Sequence, residues 1–289
     1  MNNGRIWKTA VLAVLVTIAF ATFVFRIEEW TKGVRSGFVT LGQTGEPSRP
    51  TPSTKIIPQI AVGSFDGNVT KYRTVTEIVN TGSNTISVTG NFYNSNGSLS
   101  TMALTTNLSA TPFTGTLAAT ALAANQVLII TGENAPIGTL NWGKIVSTPG
   151  TVSVSTFFEI RDVATNVLYS RVGVQASPAD MASFVIPRVR NVAGGLDVGF
   201  ALVNTGSAPA AINATLRDTT GAILSSKKLT MNPGQHIVQF TQGFFGLGAE
   251  PAGTNYSFIV FDSTSSQFAA VALAMERGFL TGLPVDRLR

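Results

Sequence analysis

Val79-Asn80-Thr81-Gly82-Ser83 recurs as Val203-Asn204-Thr205-Gly206-Ser207. Outward from these stretches the copies run gapless to Gly97 and Gly221, which close the same turn. A fixed self-similarity identifies the folding unit before any single motif does. Upstream, Ile57-Pro58-Gln59-Ile60 opens one copy and Ile186-Pro187-Arg188-Val189 the other. The proline reads as a strand start, where no ladder donor is needed. Residues 72–79 and 196–203 lead into the Asn-Thr-Gly-Ser turn, whose Asn and Gly tolerate positive φ. Beyond it Ile86, Val88 and Phe92 alternate with their neighbours, and Ala210, Ile212 and Leu216 match them. Period-two alternation marks a half-buried strand.

Asn94-Ser95-Asn96-Gly97 and Asp218-Thr219-Thr220-Gly221 turn the chain as hairpins with glycine in the loop. Ala124-Asn125-Gln126 answers Pro233-Gly234-Gln235, and Trp142 answers Tyr256. Residues 152–160 answer 268–276, and residues 167–174 answer 279–285. Each copy holds about seven or eight short strands, with turn signals about every ten residues. The predicted fold class is all-β: two tandem Ig-like β-sandwich domains over residues 57–178 and 182–289, preceded by a hydrophobic helix and a linker. A small barrel is the alternative. The first copy is longer at residues 64–70 and 105–120, and insertions relative to a repeat are expected in surface loops. Pro112 and Phe113, inside the second insertion, are thereby candidates for ligand binding.

Only 12% of the residues are charged and 44% are hydrophobic, where ordinary soluble domains are roughly a quarter charged. Ser, Thr, Asn and Gly supply the polarity instead, and residues 78–132 carry no charge at all. Disordered chains are charge-rich and poor in β-branched residues, so the composition describes a neutral, Thr-rich β surface. Residues 1–56 hold seven Lys/Arg and three Asp/Glu, leaving thirteen against twelve in the remainder. The basic excess therefore sits in the N-terminal arm. Nucleic-acid binders concentrate it on the folded domain, so no nucleic-acid partner is expected. The chain has no cysteine, which excludes disulfides, thiolate metal sites, Cys nucleophiles and a lipid-anchored cysteine.

Arg5 and Lys8 precede an uncharged apolar run over residues 9–25, and Arg26, Glu28, Glu29 and Trp30 follow it. A basic start and an apolar core describe an export signal, with Ala19-Phe20-Ala21 as a cleavage site. The same run spans roughly 25 Å as a helix, the short end for a bilayer anchor. Lys8, Arg26, Trp7 and Trp30 stand where an anchor needs its interfacial residues. Residues 1–30 are thus a signal peptide or a membrane anchor, and either places the rest outside the cytoplasm, secreted or held at the cell surface or in the periplasm. Residues 31–56 read as a Pro/Gly-containing linker, with a short strand at 37–41.

The chemistry-bearing residues are few. His236 is the only histidine. No Gly-x-Ser-x-Gly elbow, phosphate loop or dinucleotide fingerprint occurs. Zinc sites need several His or Cys, and Asp66-Gly67-Asn68 lacks the calcium-loop spacing. Glu159 and Glu276 lie near equivalent positions with Arg161 and Arg277 close behind, a pattern read as a salt bridge or edge-protecting charge. No catalytic residue, metal site or cofactor is expected. Aromatics offer a sugar-stacking platform. Trp142 and Tyr256, as equivalents, read as strand-packing residues, whereas Tyr72 and Tyr93 lack an aromatic counterpart and are the better surface candidates.

The Ile-Pro-x-Ile opener, the Val-Asn-Thr-Gly-Ser turn, Pro233-Gly234-Gln235 before a strand and the closing Phe279-Leu280-Thr281-Gly282-Leu283-Pro284-Val285 together resemble a family of secreted bacterial proteins with tandem β-sandwich repeats. The resemblance implies export and a modular sandwich, and it brings no catalytic residue with it. The expected function is that of an exported structural, adhesive or surface-interaction protein, with an extracellular carbohydrate-binding module as the alternative. Expected partners are a cell-surface or extracellular protein or glycan, and the membrane if the N-terminal segment is retained. Self-association is a variant. Neutral sandwiches extend by strand addition, residues 37–41 could donate a strand, and Lys71, Arg73 and Arg188 would guard the edges against it.

Overall fold

The computed structural model describes residues 52–66, 69–133, 135, 137–191, 195–247, 254–265 and 267–288. The expected N-terminal helix, most of the linker and the strand at 37–41 lie outside the described residues. The described chain is all-β, its strand ladders are antiparallel, and it has one short helix, α1 (Thr241–Phe245).

The first half contributes β1 (Ser53–Val62), β2 (Thr70–Asn80), β3 (Ile86–Asn94), β4 (Ala103–Thr106), β5 (Ser109–Thr114), β6 (Thr116–Leu122), β7 (Val127–Gly132), β8 (Thr139–Thr148), β9 (Val152–Asp162) and β10 (Leu168–Gln175). They form two sheets, β1-β8-β3-β6 and β10-β9-β2-β7-β4-β5. The second half contributes β11 (Ser183–Asn191), β12 (Leu196–Asn204), β13 (Ala210–Asp218), β14 (Ile223–Met231), β15 (His236–Phe240), β16 (Thr254–Asp262), β17 (Phe268–Glu276), β18 (Phe279–Leu283) and β19 (Asp286–Arg287). Its strands form one path, β14-β13-β16-β11-β12-β17-β18, with β15 beside β12 and β19 beside β11. The β11–β12 link is the single pair Asn191↔Leu196. The path therefore resolves into β14-β13-β16-β11 and β18-β17-β12-β15, which repeat β6-β3-β8-β1 and β10-β9-β2-β7 strand for strand.

Alternation carries each half's core. β3 and β13 share one burial pattern, with Ile86, Val88 and Phe92 facing one core and Ala210, Ile212 and Leu216 the other. Around them pack Ile57, Ile78, Leu128 and Ile145 in the first half, and Phe184, Phe200, Leu202 and Phe261 in the second.

The repeated turn works differently from the expectation. Neither Asn80 nor Gly82 takes positive φ. The turn is held instead by a fully buried amide. Asn80 Nδ2 donates to Asn84 O at 2.8 Å and Leu122 O at 3.0 Å, and Asn80 Oδ1 accepts from Gly82 N at 3.0 Å. Asn204 does the same with Ala208 O, Met231 O and Gly206 N. One side chain thus closes the turn and ties it to the end of the strand that follows the next hairpin, β6 or β14.

Other expectations need correction. Ser53–Ile56, assigned by composition to the linker, belong to β1, and Ile56 is fully buried. Pro58 and Pro187 lie inside β1 and β11 rather than at their starts, on strands with no second neighbour at the proline; β1 bulges there and β11 does not. Residues 105–120 are not a loop: β4 and β5 widen the sheet beyond β7 as a hairpin with an irregularity between Leu104 and Thr106, and β6 follows. Trp142 is not the counterpart of Tyr256. Phe92 pairs with Gly143 and its counterpart Leu216 with Ile259, so Trp142 matches Phe258. A two-residue slip leaves every side chain on its own face, so alternation cannot detect it. The same framework matches Glu159 with Met275, not Glu276. Lys71 and Arg73 flank Tyr72 on β2, which pairs with β9 on one side and is bridged by Gly63 on the other, and Arg188 is buried; none of the three guards an open edge.

Replacing Asn80 by Ala strands the buried carbonyl of Leu122 and removes the bond that closes the turn at Asn84. The expected loss is about 2–3 kcal/mol in urea-denaturation midpoint stability. Thr81→Ala, at the exposed neighbour, should stay within about 0.5 kcal/mol.

Candidate functional site

β12 and β17 are covered on both faces. Val198, Phe200 and Leu202, with Ala270, Ala272 and Ala274, face the second half's own core. The alternate residues Val203, Ala269, Leu273 and Met275 face the first half. There they meet Ile56 of β1, Trp142 of β8, Phe158 and Ile160 of β9, and Val172 and Val174 of β10. Backbone bonds reinforce the contact: Leu280 N donates to Ser170 Oγ at 2.9 Å and Ala270 N to Ser177 Oγ at 3.2 Å. The first half uses strand length to make this surface. The Val152 and Val154 end of β9 fills the first core, and its Phe158 and Ile160 end fills the junction.

The junction does not fill completely. A cavity of about 350 Å3 lies between Phe65, Tyr72 and Phe158 on one side and Gly199, Phe240 and Leu273 on the other. Phe65 meets Tyr72 edge-on with ring centroids 5.3 Å apart. Burial, then the charge of Asp66, pushes the Tyr72 hydroxyl up.

At the other end of the junction Tyr93 stacks on Trp142, centroids 4.3 Å apart, and Trp142 Nε1 donates to Gly234 O at 2.9 Å. The turns of Gly97 and Gly234 touch. A Cβ on Gly97 would lie 2.8 Å from Pro233 O, and one on Gly234 would lie 2.9 Å from Gly97 Cα. Both glycines also hold positive φ. His236 is buried here. Its N–H donates to Ser95 O at 2.9 Å, its Nδ1 lies 3.4 Å from Ser95 Oγ, and its Nε2 has no hydrogen-bond partner. Ser95 Oγ itself donates to Leu140 O. Burial without a charge partner pulls the imidazole down to about 4.

A third feature is polar. Glu159 is buried, and Arg161 Nε reaches its Oε2 at 2.8 Å, Arg73 NH1 the same oxygen at 3.2 Å, and Arg171 Nε its Oε1 at 3.6 Å. Burial pushes the carboxyl up, but the hydrogen bonds from Arg161 and Arg73 outweigh it and hold the group below its ordinary value. A cleft of about 390 Å3 opens beside the cluster, lined by Lys71, Arg73, Glu133, Arg161 and Asn166. Glu276, by contrast, is exposed.

The structure scatters the residues singled out as binding candidates. Tyr72 lines the junction cavity, and Tyr93 is the half-buried plate over Trp142. Phe113 packs against Phe92 at the margin of the first core, and Pro112 is exposed on β5. Tyr256, expected to pack, is 61% exposed, because no second half covers its face as one covers Trp142. Tyr169 is half exposed and donates to Asp162 Oδ2 at 2.9 Å. Asp66 is occupied by Ser64, Val69 and Thr70. Among the described residues no group of three or more His, Cys, Asp or Glu is placed to hold a metal, and no helix is long and apolar enough to cross a membrane. The junction itself was missed in the sequence, although a signal for it exists. Residues 268–275 form a continuous apolar run instead of an alternating one, the mark of a strand buried on both faces.

No protein-family model matches the chain, and no curated protein does. Among solved structures, one similar chain is a lectin from Pleurotus ostreatus crystallised in complex with GalNAc. It is 10% identical, the match covers 85% of this chain and 79% of the lectin, and the TM-score is 0.19, too low to carry an argument about fold or function.

The buried titratable groups His236 and Glu159 each make stability depend on their protonation or charge. The folded chain holds His236 neutral down to about pH 4, whereas the unfolded chain takes up the proton at the ordinary 6.5. Its contribution is therefore fully present above pH 6.5 and lost progressively toward pH 4, by about 3 kcal/mol. Denaturant titrations at pH 7, 5 and 4 should show that loss in the native chain and a flatter profile in His236→Leu. Glu159→Gln leaves three arginines without their shared carboxylate. It should cost about 2–3 kcal/mol at pH 7, while Glu133→Gln, at the exposed end of the cluster, should cost well under about 1 kcal/mol by the same measurement.

Proposed function

We propose that the chain is an exported, non-catalytic surface-interaction protein, made of two Ig-like sandwich domains that pack into one block. The observation that carries this reading is the fate of the groups that chemistry would need. The single histidine is buried in the junction beside a serine already bonded elsewhere. Among the described residues the one buried carboxylate, Glu159, is shared by three arginines. Asp66, Asp162 and Asp218 are each held low, first by a threonine hydroxyl in their own turns. What remains for contact is a neutral exterior rich in Thr, Ser and Asn.

The edge strands favour a discrete unit over a filament. β5 carries Pro112 and β14 carries Lys227 and Lys228, the residue types that blunt strand addition. β10 and β18 close on one another, with Gly282 against Gly173.

The second reading is glycan binding, and one observation favours it. Tyr169 presents an exposed ring on the same hairpin as Arg161 and Asn166, which line the polar cleft. A ring for stacking beside fixed polar groups is the arrangement a sugar needs.

Cell fractionation with sequencing of the mature N-terminus tests the first reading. The chain should appear outside the cytoplasm, cleaved near residue 21 or retained at the membrane; a full-length cytosolic chain would sink it. A glycan array tests the second. Saturable binding that Tyr169→Ala removes would displace the first reading in favour of a lectin role, and a blank array would retire the glycan reading.

A further inference from the structure

We propose that the cavity between the two halves is a binding site for a neutral, aromatic small molecule. Among the described residues that line it none is charged: Gln59, Gln239 and the hydroxyl of Tyr72 are the polar groups, and the others are apolar. An ionised ligand would lose its hydration there without a counter-charge, whereas a neutral one with a single hydroxyl or carbonyl could be met by an amide. Phe65, Tyr72, Phe158 and Phe240 surround the space with rings, which favour a flat guest through stacked and edge contacts. Phe65 and Phe240 are also among the large apolar side chains left substantially exposed, so the lips of the cavity are open to an entering molecule.

The floor of the cavity carries the second observation. Gly199 lies in the β12 row that faces the first half, and its counterpart in the repeat is Val75. Its φ is not positive. A Cβ there would make ordinary contacts, 3.5 Å from the Phe240 ring and 3.6 Å from Gln239 O. Neither backbone conformation nor crowding requires glycine at this position. Its effect is to leave open a volume that the valine of the other copy would partly fill. Elsewhere the junction closes tightly, as at the Gly97–Gly234 contact.

The test uses the full chain labelled with [13C-methyl]methionine and titrated with 4-phenylphenol. Met275 lines the cavity, while Met231 lies in the second core and serves as the internal control. The Met275 methyl resonance should shift saturably and Met231 should not. Gly199→Leu should weaken binding by about tenfold or more with the thermal midpoint nearly unchanged. Phe240→Ser, at an exposed lip, should also weaken it, and carries the comparison alone if the glycine variant fails to fold. The charged analogue biphenyl-4-carboxylate should bind at least about tenfold more weakly. A Met275 signal that does not move, an affinity unchanged in the folded variants, or equal binding of the charged analogue would overturn the proposal.

Discussion

β12 and β17 have no solvent face, and the rest of the molecule is arranged around that constraint. A strand buried on one side can place polar residues at alternate positions; one buried on both sides cannot. Hence residues 268–275 are apolar throughout, and alanines at 269, 270, 272 and 274 keep the layers thin enough for a third to pack on top. Separated from the first half, the second would expose Val203, Val271, Leu273 and Met275 as one patch, of the kind that drives association. The first half supplies the cover by letting β2 and β9 outrun the opposing sheet, so that one end of each strand serves its own core and the other end the junction.

The repeat was preserved where a polar group would otherwise be stranded. Asn80 and Asn204 are buried and satisfied by equivalent partners, and Gln126 and Gln235 accept from the backbone of equivalent turns. The two asparagines tolerate little change, since replacing either leaves a buried acceptor, Leu122 O or Met231 O, unmet. The copies diverge where the junction demands it. Gly97 abuts the other half while its counterpart Gly221 faces open space. Gly234 stands where the first copy has Asn125, with the same left-handed backbone. His236 stands where the first copy has Val127, and Gly199 where it has Val75. The three substitutions, at Gly234, His236 and Gly199, all sit at the contact between the halves. The one glycine among them that neither strain nor crowding explains is the one beside the cavity.

Charge is scarce in this chain and is spent in few places. Glu159 gathers Arg73, Arg161 and Arg171 at one end of the first half's six-stranded sheet, and Arg171 also covers the Phe157 ring at 4.5 Å. In the second half Arg188 is buried with its Nε on Thr241 Oγ1, and that hydroxyl donates to Asp197. The two arrangements share one repeat position, Arg73 in the first half and Asp197 in the second, but build opposite charges and different partners around it. Each half solved the cost of its buried charges separately, by surrounding them with hydrogen-bond partners.

The sequence by itself determined the all-β class and most of the succession of strands along each half, because local signals carry them. The alternation at Ile86, Val88 and Phe92, the glycine of each hairpin and the repeated Asn turn each act over a few residues and recur at a constant spacing. It could not set the register of β8 against β16, since a slip of two residues changes no side chain's face. It also left open what covers the outer face of a strand. Trp142 and Phe258 are counterparts on strands of the same pattern, yet only Trp142 is fully buried, because only the first half's strand is overlain there. The junction, its cavity and the burial of His236 all depend on contacts between residues more than a hundred positions apart in several cases, such as Ser95 with His236 and Ser170 with Leu280. No local propensity encodes such pairings; tertiary packing decided them, by the need to cover an apolar face that alternation alone would have left exposed.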